Sequence, residues 1–123
     1  PPTRLAVGTQ WRDSSAYPLC RDGILLQVQS VRQYRVEAAD VRDGRLVLRV
    51  RREATTTLLG HGLQFGDSVR VSGTGEATAS LDLSLDGAAI VSGSGYSELH
   101  LELQGRRRTQ QLVQHGALVI RTP

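Results

Sequence analysis

The sequence predicts an all-β fold: a single antiparallel domain, a sandwich or flattened barrel of about eight or nine strands with little helix. Three observations carry this. Leucine, valine and isoleucine recur at every second position in several segments, the period that sends alternate side chains to opposite faces of a strand. Turn signals rich in Gly, Asp and Ser separate those segments at roughly the 8 to 12 residue spacing of sandwiches and barrels. No segment holds a helical period over three turns. One phrase also occurs twice: Val71-Ser72-Gly73-Thr74-Gly75 leads into Leu81-Asp82-Leu83-Ser84-Leu85, and Val91-Ser92-Gly93-Ser94-Gly95 leads into Leu99-His100-Leu101-Glu102-Leu103. Each copy reads as a Gly/Ser bend followed by a half-buried strand, closed by Gly87 or Gly105. The leucines face inward, and Asp82, Ser84, His100 and Glu102 form the wet side.

In chain order, residues 1–23 are expected to form an N-terminal arm packed on a β domain spanning 24–123. The arm holds a short strand from Arg4 to Trp11, loop chemistry at Asp13-Ser14-Ser15 and Tyr17-Pro18, and a turn at Asp22-Gly23. Trp11 anchors it, because an indole ties a segment down by burying a large apolar surface. Ile24 to Val31 alternates with Ile24, Leu26 and Val28 on one face, and Gln33 to Ala39 carries Tyr34 and Val36 on one face. Asp43-Gly44 is a hairpin turn. Arg45 to Arg52 places Leu46, Leu48 and Val50 inward and Arg45, Arg49 and Arg51 outward, with Val47 marking a strand covered on both sides. Thr55-Thr56-Thr57 favours strand, so residues 53–62 read as a strand end followed by a loop through His61-Gly62. A turn over Leu63 to Asp67, including Phe65, precedes a strand from Ser68 to Ser72 with Val69 and Val71 inward. Arg106-Arg107-Arg108 falls on a turn. Thr109 to Gln114 reads as strand or short helix, His115-Gly116 as a turn, and Ala117 to Thr122 as the last strand.

At 123 residues the chain suits one domain with a real core, built from Leu and Val because aromatics make up only 4%. The net charge of +3 comes wholly from arginine, since lysine is absent. Asparagine and methionine are absent too, and isoleucine occurs only three times. Residues with A/T-rich codons are the missing ones, which points to a high-GC coding sequence rather than to selection for guanidinium groups. Cys20 is alone, so no intrachain disulfide forms. No apolar run approaches the ~18 residues of a membrane-spanning helix. An opening Pro1-Pro2 without methionine reads as a processed or trimmed product, consistent with an extracytoplasmic or particle-associated origin.

Candidate sites are few. His61, His100 and His115 lack a second ligand at metal-like spacing, and no metal or other cofactor is expected. Asp82 and Asp86 share a strand face, as alternate acids on a wet side do. No nucleophile motif surrounds a serine or Cys20. Gly73-Thr74-Gly75 and Gly93-Ser94-Gly95 lack the third glycine of a dinucleotide fingerprint and read as bends. The candidate contact surface is Arg106, Arg107 and Arg108, whose crowded guanidiniums suit phosphate or carboxylate groups, together with Trp11.

Gly66-Asp67-Ser68-Val69-Arg70-Val71-Ser72-Gly73 resembles the G-D-x-V-x-V-x-G phrase of many OB-fold barrels, where it covers a turn and one strand. The resemblance spans eight of the 123 residues, and the aromatic platform on which OB-folds stack bases is missing, with only Tyr34 lying mid-strand in the first half. The doubled Ser-Gly-x-Gly unit is similar to repeats of secreted bacterial β-rich head domains. Neither resemblance transfers a functional residue.

The expected function is a non-enzymatic β-rich binding or assembly module. Half-buried strands leave open edges, and no lysine is present to blunt them, so pairing with a second copy or a protein partner through strand edges follows. The alternative is an OB-like nucleic-acid-binding domain that uses Arg45, Arg49, Arg51 and Arg70 with the Arg106 to Arg108 turn.

Overall fold

The computed structural model describes residues 6–64, 66–85 and 89–121. Expectations for Arg4, Leu5, Phe65, Asp86, Gly87 and Thr122 lie outside the described residues. Strand accounts for 87% of the rest and helix for none, so no helix among them is long and apolar enough to cross a membrane. The strands are β1 (Gln10–Arg21), β2 (Ile24–Arg42), β3 (Arg45–Gln64), β4 (Asp67–Ser84), β5 (Ala89–Gln104) and β6 (Thr109–Arg121). They form one open antiparallel sheet in sequence order, with β1 and β6 at its edges.

Six long strands in one sheet replace the eight or nine of a sandwich or barrel. The shortest has 12 residues and the longest 20, against the usual 3–10. Two turn predictions hold. Asp22-Gly23 and Asp43-Gly44 are tight loops, with φ of 51° and 79° and of 52° and 78°, the left-handed pairs of a type I′ turn. The turn after Gly105 is also present, closed by Gly105 N–H donating to the Arg108 carbonyl at 2.9 Å.

The turn expected over Leu63 to Asp67 is present as well, ending β3 at Gln64 and opening β4 at Asp67, but the remaining expected interruptions among the described residues are continuous strand. β3 runs straight through residues 53–62, β4 through Gly73-Thr74-Gly75, β5 through Gly93-Ser94-Gly95 and β6 through His115-Gly116. Thr109 to Gln114 is strand. The glycines have a cross-strand purpose instead of a turn purpose. Gly73 pairs with Leu101, Gly75 with Leu99 and Leu81 with Gly93. A Cβ at Gly73 would stand 2.5 Å from Leu101 Cδ2, one at Gly75 3.1 Å from Leu99 Cδ1, and one at Gly93 2.8 Å from Leu81 Cδ2. Glycine here makes room for a neighbour's leucine, the close approach that mid-strand glycine often marks. The doubled phrase is therefore self-complementary. Run antiparallel, the glycine part of each copy receives the leucine part of the other.

One face of the sheet carries this packing. Ile24, Leu26 and Val28 of β2, Leu46, Leu48 and Val50 of β3, Val69, Val71 and Leu81 of β4 and the three leucines of β5 share it by register. Two small cores form at opposite ends of the strands. Ile24, Val69 and Val71 pack with Leu26 and Leu103 at one end. Val36, Leu48 and Val50, at 0%, 2% and 1% exposure, pack with Trp11, Tyr34 and Leu83 at the other. Between them lie Ala54, Gly75, Ala77 and Gly95, too small to build a third. Val47 faces the other way and is buried as well, as its break in the alternation predicts.

Candidate interaction surfaces

The segment expected as an arm contains β1, an edge strand paired with β2 along its whole length. Trp11 stacks on its register partner Tyr34, with ring centroids 4.9 Å apart and planes 4° from parallel. Beside the stack, Asp13 accepts from Arg32 Nε at 2.6 Å and from Tyr34 Oη at 3.2 Å. The Asp13 carboxylate raises the Arg32 guanidinium above its ordinary value, chiefly through that hydrogen bond. The Trp11 indole is spent on this contact and is half-buried.

The Arg106 to Arg108 turn joins β5 to β6, and all three residues are exposed. It lies at the opposite side of the sheet from Trp11, so the structure does not bring the two together. Arg45, Arg49, Arg51 and Arg70 do share one face by register. They are not a continuous cationic stripe. Arg49 Nε donates to Asp82 at 3.1 Å and Arg51 Nε to Glu53 at 3.0 Å. Arg45 and the pairing partner of Arg70, His61, stand about 50 Å of strand apart at ~3.3 Å per residue.

Asp82 is the main departure from the sequence reading. It sits on the face expected to be wet, yet it is only 8% exposed. Two β-bulges assemble its surroundings. One falls between Val36 and Ala38 of β2 and shifts the register against β3 by one residue. That shift moves Arg42 onto the face of Asp82, because a one-residue slip exchanges the faces of a strand. The other falls opposite Asp82/Leu83 in β4, where Asp82 pairs with Ser92 but Leu83 pairs with Ile90. Asp82 consequently accepts from Arg42 Nη1 at 3.1 Å, Arg49 Nε at 3.1 Å and Ser92 Oγ at 2.9 Å. Burial pushes its pKa up, but hydrogen bonds from Arg49, Ser92 and Arg42 outweigh burial and hold the carboxyl below its usual value. The Arg49 guanidinium is raised correspondingly, first by its bond to Asp82. The first bulge leaves only a change of phase in the sequence, from even-numbered Tyr34 and Val36 to odd-numbered Val41 opposite Leu46, and that slight trace does not reveal the cluster.

The histidines stay apart. His100 Nε2 lies 2.7 Å from Glu98 Oε1, His115 Nδ1 lies 3.1 Å from Tyr96 Oη, and His61 pairs in register with Arg70. Among the described residues, no three metal-ligating side chains gather. Cys20 is exposed on β1.

The two sheet edges differ. Arg21 and Ile24 flank the tight Asp22-Gly23 turn and so exchange backbone hydrogen bonds, and alternate residues back along β1 do likewise. The parity is visible at its end, where Val36 N–H donates to the Thr9 carbonyl at 2.9 Å. Pro18 therefore belongs to the outward-pointing set and interrupts the free edge with a missing donor. On β6 the Gly105 to Arg108 bond sets the parity. Even-numbered residues bond β5, while Gln111, Val113, His115, Ala117 and Val119 turn their N–H and C=O groups to the open side. That edge carries no proline, and no charged residue from Thr109 until Arg121 if His115 is neutral. Its apolar side chains are open on both faces, with Leu112, Val113, Leu118 and Val119 all more than half exposed.

The chain matches no family model, no curated protein and no solved structure. Its class is defined by geometry: a single-layer, six-stranded β-meander with one guarded and one unguarded edge.

Proposed function

We propose that this chain is a non-enzymatic assembly module that joins a second copy or an extended protein segment through its strand edges. The unguarded β6 edge carries the reading. A 13-residue strand without proline or lysine is a ready template for another strand, and natural monomers blunt such edges. The surface is that of an open sheet, whose edges stay free, and not that of a closed monomer. The chain exposes 8986 Å² at a mass of 13.4 kDa, whereas a compact monomer of that mass exposes about 6,500 Å². The excess, roughly 2,500 Å², marks a one-layer sheet whose faces no second layer covers. A single sheet with nine buried apolar residues among those described gains stability from a neighbouring strand that pairs with its edge and adds cross-strand apolar contacts.

Sedimentation velocity at micromolar concentration tests the reading. A species heavier than the 13.4 kDa chain is expected, with its population rising with concentration. A monomer throughout that range, in a sample that also fails to bind extended β-strand peptides, would end it.

A further inference from the structure

We infer that the partner is a second copy of this chain and that the contact is β6 against β6 in antiparallel register, with Gly116 on the two-fold axis. This deepens the assembly reading and rests on it. The edges select the symmetry. Head-to-tail growth needs β6 of one copy on β1 of the next, and Pro18 removes a donor from the outward set of β1. Isologous pairing uses β6 alone and closes.

The side chains select the register. Outward-pointing residues of β6 are odd-numbered, and two such strands exchange hydrogen bonds only if odd residues face odd residues. Of the registers this leaves, the one centred on Gly116 sets Val113 opposite the partner's Val119 and Leu112 opposite the partner's Ile120. Its symmetry repeats both, so each apolar pair occurs twice. Arg121 meets Gln111, and no charge faces its like. The register centred on His115 instead opposes the two imidazoles and sets Val119 against Gln111. Cross-strand apolar pairs stabilise a sheet and like charges weaken it. Glycine suits the central position. Its pair is of the non-hydrogen-bonded kind, where strands approach most closely, about 4.5 Å between Cα atoms. A Cβ at Gly116 would already stand 2.7 Å from Ser97 Oγ. The product is a continuous twelve-stranded sheet (six strands from each copy), joined by about twelve new backbone hydrogen bonds. Its Leu/Gly-packed faces merge, because a two-fold axis normal to the sheet preserves the face.

The test uses disulfide trapping in a Cys20→Ser background, so that the exposed native thiol takes no part. Leu112→Cys/Ile120→Cys is expected to give a disulfide-linked dimer under mild oxidation. Either single substitution should not, since residues 112 and 120 lie about 26 Å apart along the strand. Trapping by His115→Cys alone would show the competing register and overturn this one. Ala117→Pro deletes an outward donor, and Val119→Lys adds a charge at a position 63% exposed. Each is expected to weaken the dimer at least tenfold while the circular-dichroism spectrum keeps its β signature. A dimer that survives both substitutions and resists trapping would show that the copies associate elsewhere, leaving the assembly reading intact. Open-ended oligomers would show β6-on-β1 pairing and refute the closed form. A monomeric parent would remove both the inference and self-association.

Discussion

Replacing Asp82 by Asn tests whether the bulge-built cluster stabilises the sheet. Asparagine keeps one acceptor oxygen, which still serves Arg49, but puts an NH2 group where Oδ2 now accepts from Arg42 and Ser92. Ser92 can turn its hydroxyl and accept from that NH2, but the Arg42 guanidinium, which has no acceptor, then faces a donor. A buried donor left without its acceptor costs about 1–3 kcal/mol. Arg42 recovers part of that from water, because its side chain is 43% exposed, and the uncharged amide is cheaper to bury than a carboxylate. The net loss should be about 1–2 kcal/mol, or a Tm lower by roughly 4–10 °C for a domain of this size. Thermal melts followed by circular dichroism at pH 7 measure it. The pH dependence supplies a second readout. The folded-state pKa of Asp82 is depressed, so its contribution is fully present above the unfolded value of about 3.9 and is lost as pH falls through the lower folded value. The gap between parent and D82N should therefore close below about pH 4. Equal melting of the two proteins at pH 7, or a gap independent of pH, would refute the assignment of Asp82 as a charged keystone.

Leu48→Ala, at a site 2% exposed in the core with Val36 and Val50, should cost about 2–4 kcal/mol in urea denaturation without altering the fold. Gly73→Val should destabilise by about 1–3 kcal/mol, because its branched side chain collides with Leu101 and approaches the His100 carbonyl. Adding Leu101→Ala should recover part of that loss, and strict additivity of the two changes in a double-mutant cycle would contradict the leucine-over-glycine packing. Fluorescence anisotropy with a single-stranded oligonucleotide at low salt should give weak binding, since acids neutralise Arg49 and Arg51. Tight binding with a steep salt dependence would instead favour a nucleic-acid role.

The fold and its interaction surfaces were legible to different degrees in the residues themselves. Strand content, face assignments such as Ile24/Leu26/Val28 and Leu48/Val50, and both Asp-Gly hairpins follow from alternation and turn chemistry, which act over a few neighbours. The unguarded edge is partly legible too, since the absence of lysine is a property of the chain. Which strand occupies that edge is not, because the same apolar run would be harmless inside a sheet.

The mid-strand glycines show where local reading stops. Alone, Val-Ser-Gly-Thr-Gly is as good a bend as a strand. Its extended form is chosen by Leu99 and Leu101 of the next strand, which need the space that an absent Cβ leaves. The same holds for Asp82, a wet residue by alternation that becomes a buried one only after two register shifts bring Arg42 and Ser92 beside it. Short-range pattern in the residues is enough to make the chain β and to set the apolar side of most strands. Strand length, register and edges are set by the assembled sheet, because they depend on contacts between residues far apart in the chain, about which local preference carries no information.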